Sequence, residues 1–141
     1  MTAVYFLRHG EAAYELEKVS GEFPGVPLNE RGLSQSKLVA EALKEVDFSE
    51  VYCSDMRRTK DTLGPLLPFL RVPVHYDSRL REFDDDKDNA SILDCFVEHL
   101  LAIDDNVLVV SHFNVIRYLS LRLNAPIRNP VCGGWYRINI P

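Results

Sequence analysis

Residues 106–110 read "NVLVV" and residues 3–7 read "AVYFL". Each is a strand-length run with almost no polar side chain to turn toward water. A strand apolar on both faces is stable in a sheet covered on both sides, and such sheets are built mainly from parallel strands. Further runs at 50–54 ("EVYCS"), 72–76 ("VPVHY") and 134–140 ("GWYRINI") supply three more strands. Between them lie segments of helical period. "NERGLSQSKLVAEALKEV" (29–46) predicts a helix with Asn29 as its N-cap and Leu38, Val39, Ala42, Leu43 and Val46 on one face, with Gly32 a mild cost inside it. A second helix is expected from about Asp55, ended or bent at Gly64-Pro65. "ASILDCFVEHLLAI" (90–103) predicts a third, with Ile92, Leu93, Phe96, Leu100 and Ile103 inward, and a fourth runs from about Asn114 to Leu123. The alternation predicts a three-layer α/β/α fold, a mainly parallel sheet with helices on both faces. A length of 141 residues suits one domain spanning 1–141.

Composition removes several functions. The net charge of -5 argues against nucleic acid and anionic membrane as partners. No apolar run reaches the ~20 residues of a membrane helix. The first residues lack the basic, apolar and small-residue pattern of a secretory signal. Cys53, Cys95 and Cys132 are odd in number and form no CxxC pair, so reduced thiols in a cytoplasmic protein are expected, with Cys53 and Cys95 packed in the core.

In open α/β sheets, ligands bind beyond the carboxyl ends of the strands. The strand at 3–7 runs into Arg8-His9-Gly10, and that at 50–54 into Arg57 and Arg58. The strand at 72–76 leads to Arg79, Arg81 and Glu82, and "NVLVV" to Ser111-His112. Two histidines, several arginines and a carboxylate therefore converge on one rim. Guanidinium groups match phosphate oxygens with paired donors and stay charged. A neutral imidazole can attack phosphorus, and a second histidine can stabilise the equatorial oxygens. Gly10 would let the backbone pass close to the imidazole and adopt a conformation other residues resist. A protonated carboxyl would serve the leaving oxygen; Glu82 is the best placed by topology, with Glu11 a second candidate.

Rival chemistries fit less well. A metal on His9 and His112 would face repulsion from Arg8 and Arg58, and no HxH or HxxxH spacing occurs. A cysteine phosphatase needs an arginine where Cys53 is followed by Thr59, with Arg58 one residue early. The acidic run from Asp84 to Asp88 has the alternation of a calcium loop, but Asn89 and Cys95 stand where its glycine and closing glutamate belong. A solvated loop is expected there. No cofactor and no metal are called for.

"FLRHGEA" resembles the signature of the histidine phosphatase superfamily, which includes the cofactor-dependent phosphoglycerate mutases. "GVPLNERGLSQ", "YCSDMRRTKDT", "RLRE" and "VLVVSHFNVIR" are similar to the family's further segments, in the same order. The resemblance implies a phosphoglycerate mutase-like fold and a metal-independent reaction. It implies His9 as the phosphorylated nucleophile, Arg8, Arg58 (not Arg57) and His112 as the phosphate pocket with His9, and Glu82 as acid and then base.

The departures cluster away from that pocket. Glu15 stands where the family often has an asparagine touching phosphate, Gly25 where it has aspartate, and Phe113 where it has glycine. After Glu82 the usual glycine is replaced by "FDDDKDN", and only 29 residues separate Glu82 from His112. The roof that encloses the substrate in larger relatives must be reduced. An open site argues against a mutase, which must hold a reorienting intermediate. The reading favoured is a phosphatase acting on phosphomonoesters of small metabolites. The alternative is a phosphohistidine protein phosphatase acting on a phosphoprotein, which the size and "RHGEA" fit and which the "RLRE" acid fits less well. A mutase and a non-catalytic phosphate-binding module are further alternatives. An edge strand "GGWYRINI" is compatible with a monomer or an oligomer.

Overall fold

The computed structural model describes residues 2–16, 23–83 and 90–140. The acidic run Asp84–Asp88 lies outside the described residues. Five strands, β1 (Thr2–Arg8), β2 (Glu50–Cys53), β3 (Val74–Tyr76), β4 (Asn106–Ser111) and β5 (Trp135–Ile140), form one sheet in the order β3-β2-β4-β1-β5. All neighbours are parallel except β5, which runs antiparallel to β1 at the edge.

The order explains where the helices go. From β1 the chain crosses to β2 and on to β3, moving one way across the sheet; it then returns from β3 to β4. Crossovers of one hand moving in opposite directions cover opposite faces. Accordingly α1 (Glu30–Leu43) and α2 (Arg57–Leu63) pack on one face, through Val39, Ala40, Leu43 and Leu63 against Tyr5, Leu7, Leu108 and Val110. Helices α3 (Ala90–Leu101) and α4 (Phe113–Arg122) pack on the other, through Leu93, Phe96, Leu100, Ile116 and Leu119 against Val4, Phe6, Val107 and Val109. Alternate residues of β1 and β4 thus enter two different cores, which is why both strands are apolar throughout. Fully burying a residue such as Phe6 or Phe96 contributes about 1.5–3 kcal/mol.

Several local expectations need correction. Asn29 does cap α1, its side chain accepting from the Gly32 N–H at 2.8 Å. The buried stripe, however, is Gly32, Ser36, Val39, Ala40 and Leu43; Leu38 is 71% exposed and Ala42 is also exposed. The rotation follows from two glycines in contact. A Cβ on Gly32 would lie 2.1 Å from the Glu11 carbonyl oxygen, and one on Gly10 would lie 2.9 Å from the Gly32 oxygen. Gly32 is therefore required by close approach. So is Gly10, whose φ is not in the left-handed region; among the described glycines that conformation belongs to Gly25 and Gly133. At Gly64-Pro65 the chain tightens into a 3-10 segment, Gly64–Phe69, which keeps Leu66 in the core. On α3 the inward face is Leu93, Phe96, Val97 and Leu100, so Ile92 is exposed, and Cys95 is a surface thiol and not a core residue. Cys53 is buried, and burial pushes its thiol up to about 12.

Candidate active site

The rim position of the two histidines follows from strand register. In the parallel pair β1–β4, Arg8 is opposite Ser111, and the His9 N–H donates to the Ser111 carbonyl at 3.1 Å. His9 and His112 are the next residues on adjacent strands, with ring centroids 5.1 Å apart. Beyond them the chains diverge, β1 toward α1 on one face and β4 into α4 on the other. Open α/β sheets bind ligands where the connections reverse in this way. On the far side of β4, the end of β2 adds Ser54, whose N–H donates to the Val110 carbonyl.

Each histidine is held by one nitrogen. His9 is 2% exposed, and its Nδ1 lies 2.7 Å from the Gly10 carbonyl oxygen. A carbonyl only accepts, so Nδ1 carries the hydrogen and Nε2 carries the lone pair. Burial, then the nearby Arg58 and Arg8 charges, outweigh the Gly10 hydrogen bond and hold the imidazole pKa down at about 3. His112 is fully buried, with Nε2 2.8 Å from the Ser54 Oγ and Nδ1 without a partner. Burial, then His9 and the two arginines, hold it well below its ordinary value. Both rings are neutral near neutral pH.

The guanidiniums approach from two directions. Arg8 ends β1 and donates from Nη1 to the Pro130 carbonyl at 2.9 Å, while its Nε is buried without a partner. Arg58, on the first turn of α2, is 6% exposed, and both its Nε and its Nη1 are buried without partners. Buried N–H groups are rarely left unpaired. Three such donors on two arginines, beside two neutral imidazoles, form a cluster suited to an oxyanion. Arg58 is steadied by its own helix turn: its carbonyl accepts from the Thr62 hydroxyl, which in turn accepts from the Gly10 N–H. Tyr14 lies 5.8 Å from the Arg58 guanidinium and Phe113 5.2 Å from that of Arg8.

Glu82 follows the 3-10 turn Ser78–Leu80. Its carboxylate accepts from the Asn114 N–H at 3.0 and 3.2 Å and from its neighbour's N–H, that of Phe83, at 3.2 Å. It thus sits on the first turn of α4, beside His112. The residue is open to solvent as a whole, yet the protein mass around its carboxyl desolvates it. That desolvation outweighs these hydrogen bonds and the Arg8 and Arg58 charges, raising the pKa above its ordinary value. Glu11 is turned elsewhere: its carboxylate accepts from the Asn29 side chain and lies 3.6 Å from Arg31, at the start of α1. The remaining rim arginines are also engaged. Arg81 pairs with Asp55 and Arg79 with Asp77. Among the described residues no group of three or more His, Cys, Asp or Glu side chains is arranged to hold a metal ion.

The sequence places Arg8, His9, Arg58, His112 and Glu82 at one rim, and the structure groups the first four as neighbours with Glu82 beside them. The supporting roles of Ser54 and Thr62 depend on contacts across 58 and 52 residues and carry no local signal.

The model of the histidine phosphatase superfamily (branch 1) matches residues 4–87, more than half of the chain. The chain belongs to the histidine phosphatase superfamily. The match covers the segments with Arg8, His9, Arg58 and Glu82, whereas His112 lies beyond it and takes its place from the β1–β4 register. Mouse fructose-2,6-bisphosphatase TIGAR is 38% identical over 85 residues, covering 57% of this chain and 32% of the relative. The chain spans about a third of the length of such curated relatives. Among solved structures, the alpha-ribazole phosphatase from Shigella flexneri superposes with a TM-score of 0.76 at 22% identity, covering 99% of this chain and 91% of that one. The protein histidine phosphatase SixA superposes with a TM-score of 0.71 at 24% identity, covering 96% and 94%. These likenesses show the phosphoglycerate mutase-like α/β fold. No described helix is long and apolar enough to cross a membrane.

The buried neutral histidines make stability depend on pH. In the unfolded chain each returns to about 6.5; folded, His9 is near 3 and His112 well below its ordinary value. Within that window the unfolded state binds more protons, so stability rises with pH and is lost as pH falls below about 6.5. The urea midpoint in phosphate-free buffer is expected to drop from pH 7 to pH 5, and to drop less in His9→Ala. An equal drop in both proteins would remove His9 as a contributor.

Proposed function

We propose that the chain is a metal-independent phosphatase that hydrolyses phosphomonoesters through a phosphohistidine on His9. The observation that carries this reading is the pairing of a neutral His9, its Nδ1 bound to Gly10, with three unpaired buried donors on Arg8 and Arg58. The arginines and His112 hold the phosphoryl oxygens. His9 Nε2 attacks phosphorus as the ester P–O bond breaks, and the leaving oxygen takes the proton of Glu82. Glu82, now ionised, removes a proton from water, whose oxygen attacks phosphorus as the P–N bond breaks; phosphate leaves and His9 is restored. Desolvation raises the Glu82 pKa above its ordinary value, the direction a general acid needs. The free thiols agree with a reducing, cytoplasmic setting.

Exposed aromatic side chains near the rim, Tyr14 and Phe23, support a second reading in which the substrate is a phosphohistidine on a protein. The two readings differ in their need for an acid, because an imidazole leaves more readily than an alkoxide. Glu82→Gln is expected to slow alkyl phosphates by roughly 10²–10⁴-fold, the usual range for a general acid, and aryl phosphates much less. Measured on both series with EDTA present, alongside a phosphohistidine protein, equal losses on alkyl and aryl esters would count against Glu82 as the acid. Turnover of the phosphoprotein alone would favour the second reading.

A further inference from the structure

A cavity of about 530 Å³ opens beside the acid, between α3, α4 and the segment 126–128. Its volume is in the range of small-molecule sites. Asn114, Arg117 and Leu121 line it at helical spacing, so it runs down one face of α4, away from the rim. Leu93 forms part of the apolar opposite wall, and Arg128 stands at the side. Its lining contacts the residues of the phosphate site at two points. Asn114 holds the Glu82 carboxylate through its N–H and the Phe83 carbonyl through its side chain, and both Asn114 and Phe83 line the cavity. The Phe113 ring touches the guanidiniums of Arg8 and Arg117, at 5.2 and 5.4 Å from its centroid. The two cations therefore lie within about 11 Å of each other. Among the described residues neither Arg117 nor Arg128 pairs with a carboxylate.

We propose that this groove is the subsite for the substrate's leaving group, and that it takes a small molecule with an apolar body and a second anionic group held by Arg117 and Arg128. The inference rests on the phosphatase reading and names its substrate class. The mostly apolar lining favours an apolar body over a sugar, while two guanidiniums that pair with no carboxylate among the described residues call for a carboxylate or second phosphate within about 11 Å of the Arg8 guanidinium.

The test compares three aryl phosphates with the same reacting centre. They carry a para-propyl chain, the same chain ending in a carboxylate, and the same chain ending in an amine. In the parent, kcat/KM for the carboxylate is expected to exceed that for the neutral ester by about tenfold, the sum of two exposed charge contacts, with the amine poorest. In Arg117→Ala/Arg128→Ala the preference should fall to near one. Both side chains are exposed, so folding is not at risk. A flat series in the parent, or a preference kept in the double variant, overturns the proposal. Should nothing be turned over, the matching phosphonates, which cannot be hydrolysed, decide by calorimetry. Tighter binding of the carboxylated phosphonate in the parent but not the double variant supports the groove even without catalysis; equal binding overturns it. Loss of binding to a phosphohistidine protein in the double variant, with a flat small-molecule series, also overturns it in favour of a protein occupant.

Discussion

Replacing His9 with alanine is expected to lower phosphatase turnover by on the order of 10⁴-fold or more, leaving a folded protein. The size follows from the role. Without the imidazole no covalent intermediate forms, and the pocket retains only what binding and charge stabilisation give; loss of a nucleophile in comparable machinery costs about 10⁶-fold. The fold should survive because His9 lends no side chain to either core, and its ring hydrogen bond is to the adjacent Gly10 carbonyl. Rates on aryl phosphates, with circular dichroism as the control for folding, check both parts. A residual rate within tenfold of the parent would mean that another group attacks phosphorus.

Arg58→Ala is expected to lower kcat by about 10²–10³-fold, or ~2.7–4 kcal/mol of transition-state stabilisation, the range found when one preorganised donor to a developing oxyanion is removed. The same substitution should not lower stability and is expected to raise it. Arg58 is a buried charge with two unpaired donors in the free protein, and such a group costs folding energy. Opposite signs for activity and stability are the mark of a group kept for its ligand; a structural arginine would lose both. Arg58→Lys should recover charge without the planar fork and fall between parent and alanine. Thermal melts and steady-state rates on the three proteins decide the matter.

The parts of the molecule legible in the sequence were those in which local pattern and global fold agree. Apolar runs at 3–7 and 106–110, each ending in a histidine, were enough to place His9 and His112 at one rim, because parallel neighbours end at the same level. The helix faces were less legible. Leu38 fits a helical stripe by spacing, but the Gly10–Gly32 contact turns α1 so that Ser36 and Ala40 face inward instead. Cys95 lies within an apolar pattern, yet the inward stripe of α3 passes through Phe96 and Val97 and leaves it outside. The arginines of "RLRE" looked available to a phosphate. Asp55 and Asp77 neutralise them through contacts fixed only by the folded chain. By contrast Arg8 and Arg58 keep unpaired donors, and it is that difference in pairing that separates a binding arginine from a structural one.

The central claim is a phosphoryl group carried on His9. Rapid acid-free quenching of the parent with an excess of aryl phosphate, followed by mass spectrometry of its peptides, tests it most directly. The account predicts one added phosphoryl group on the peptide containing His9, stable in base, lost in acid, and absent from His9→Ala. Steady turnover with no phosphoryl group on that peptide, or with the group on another residue, would contradict it.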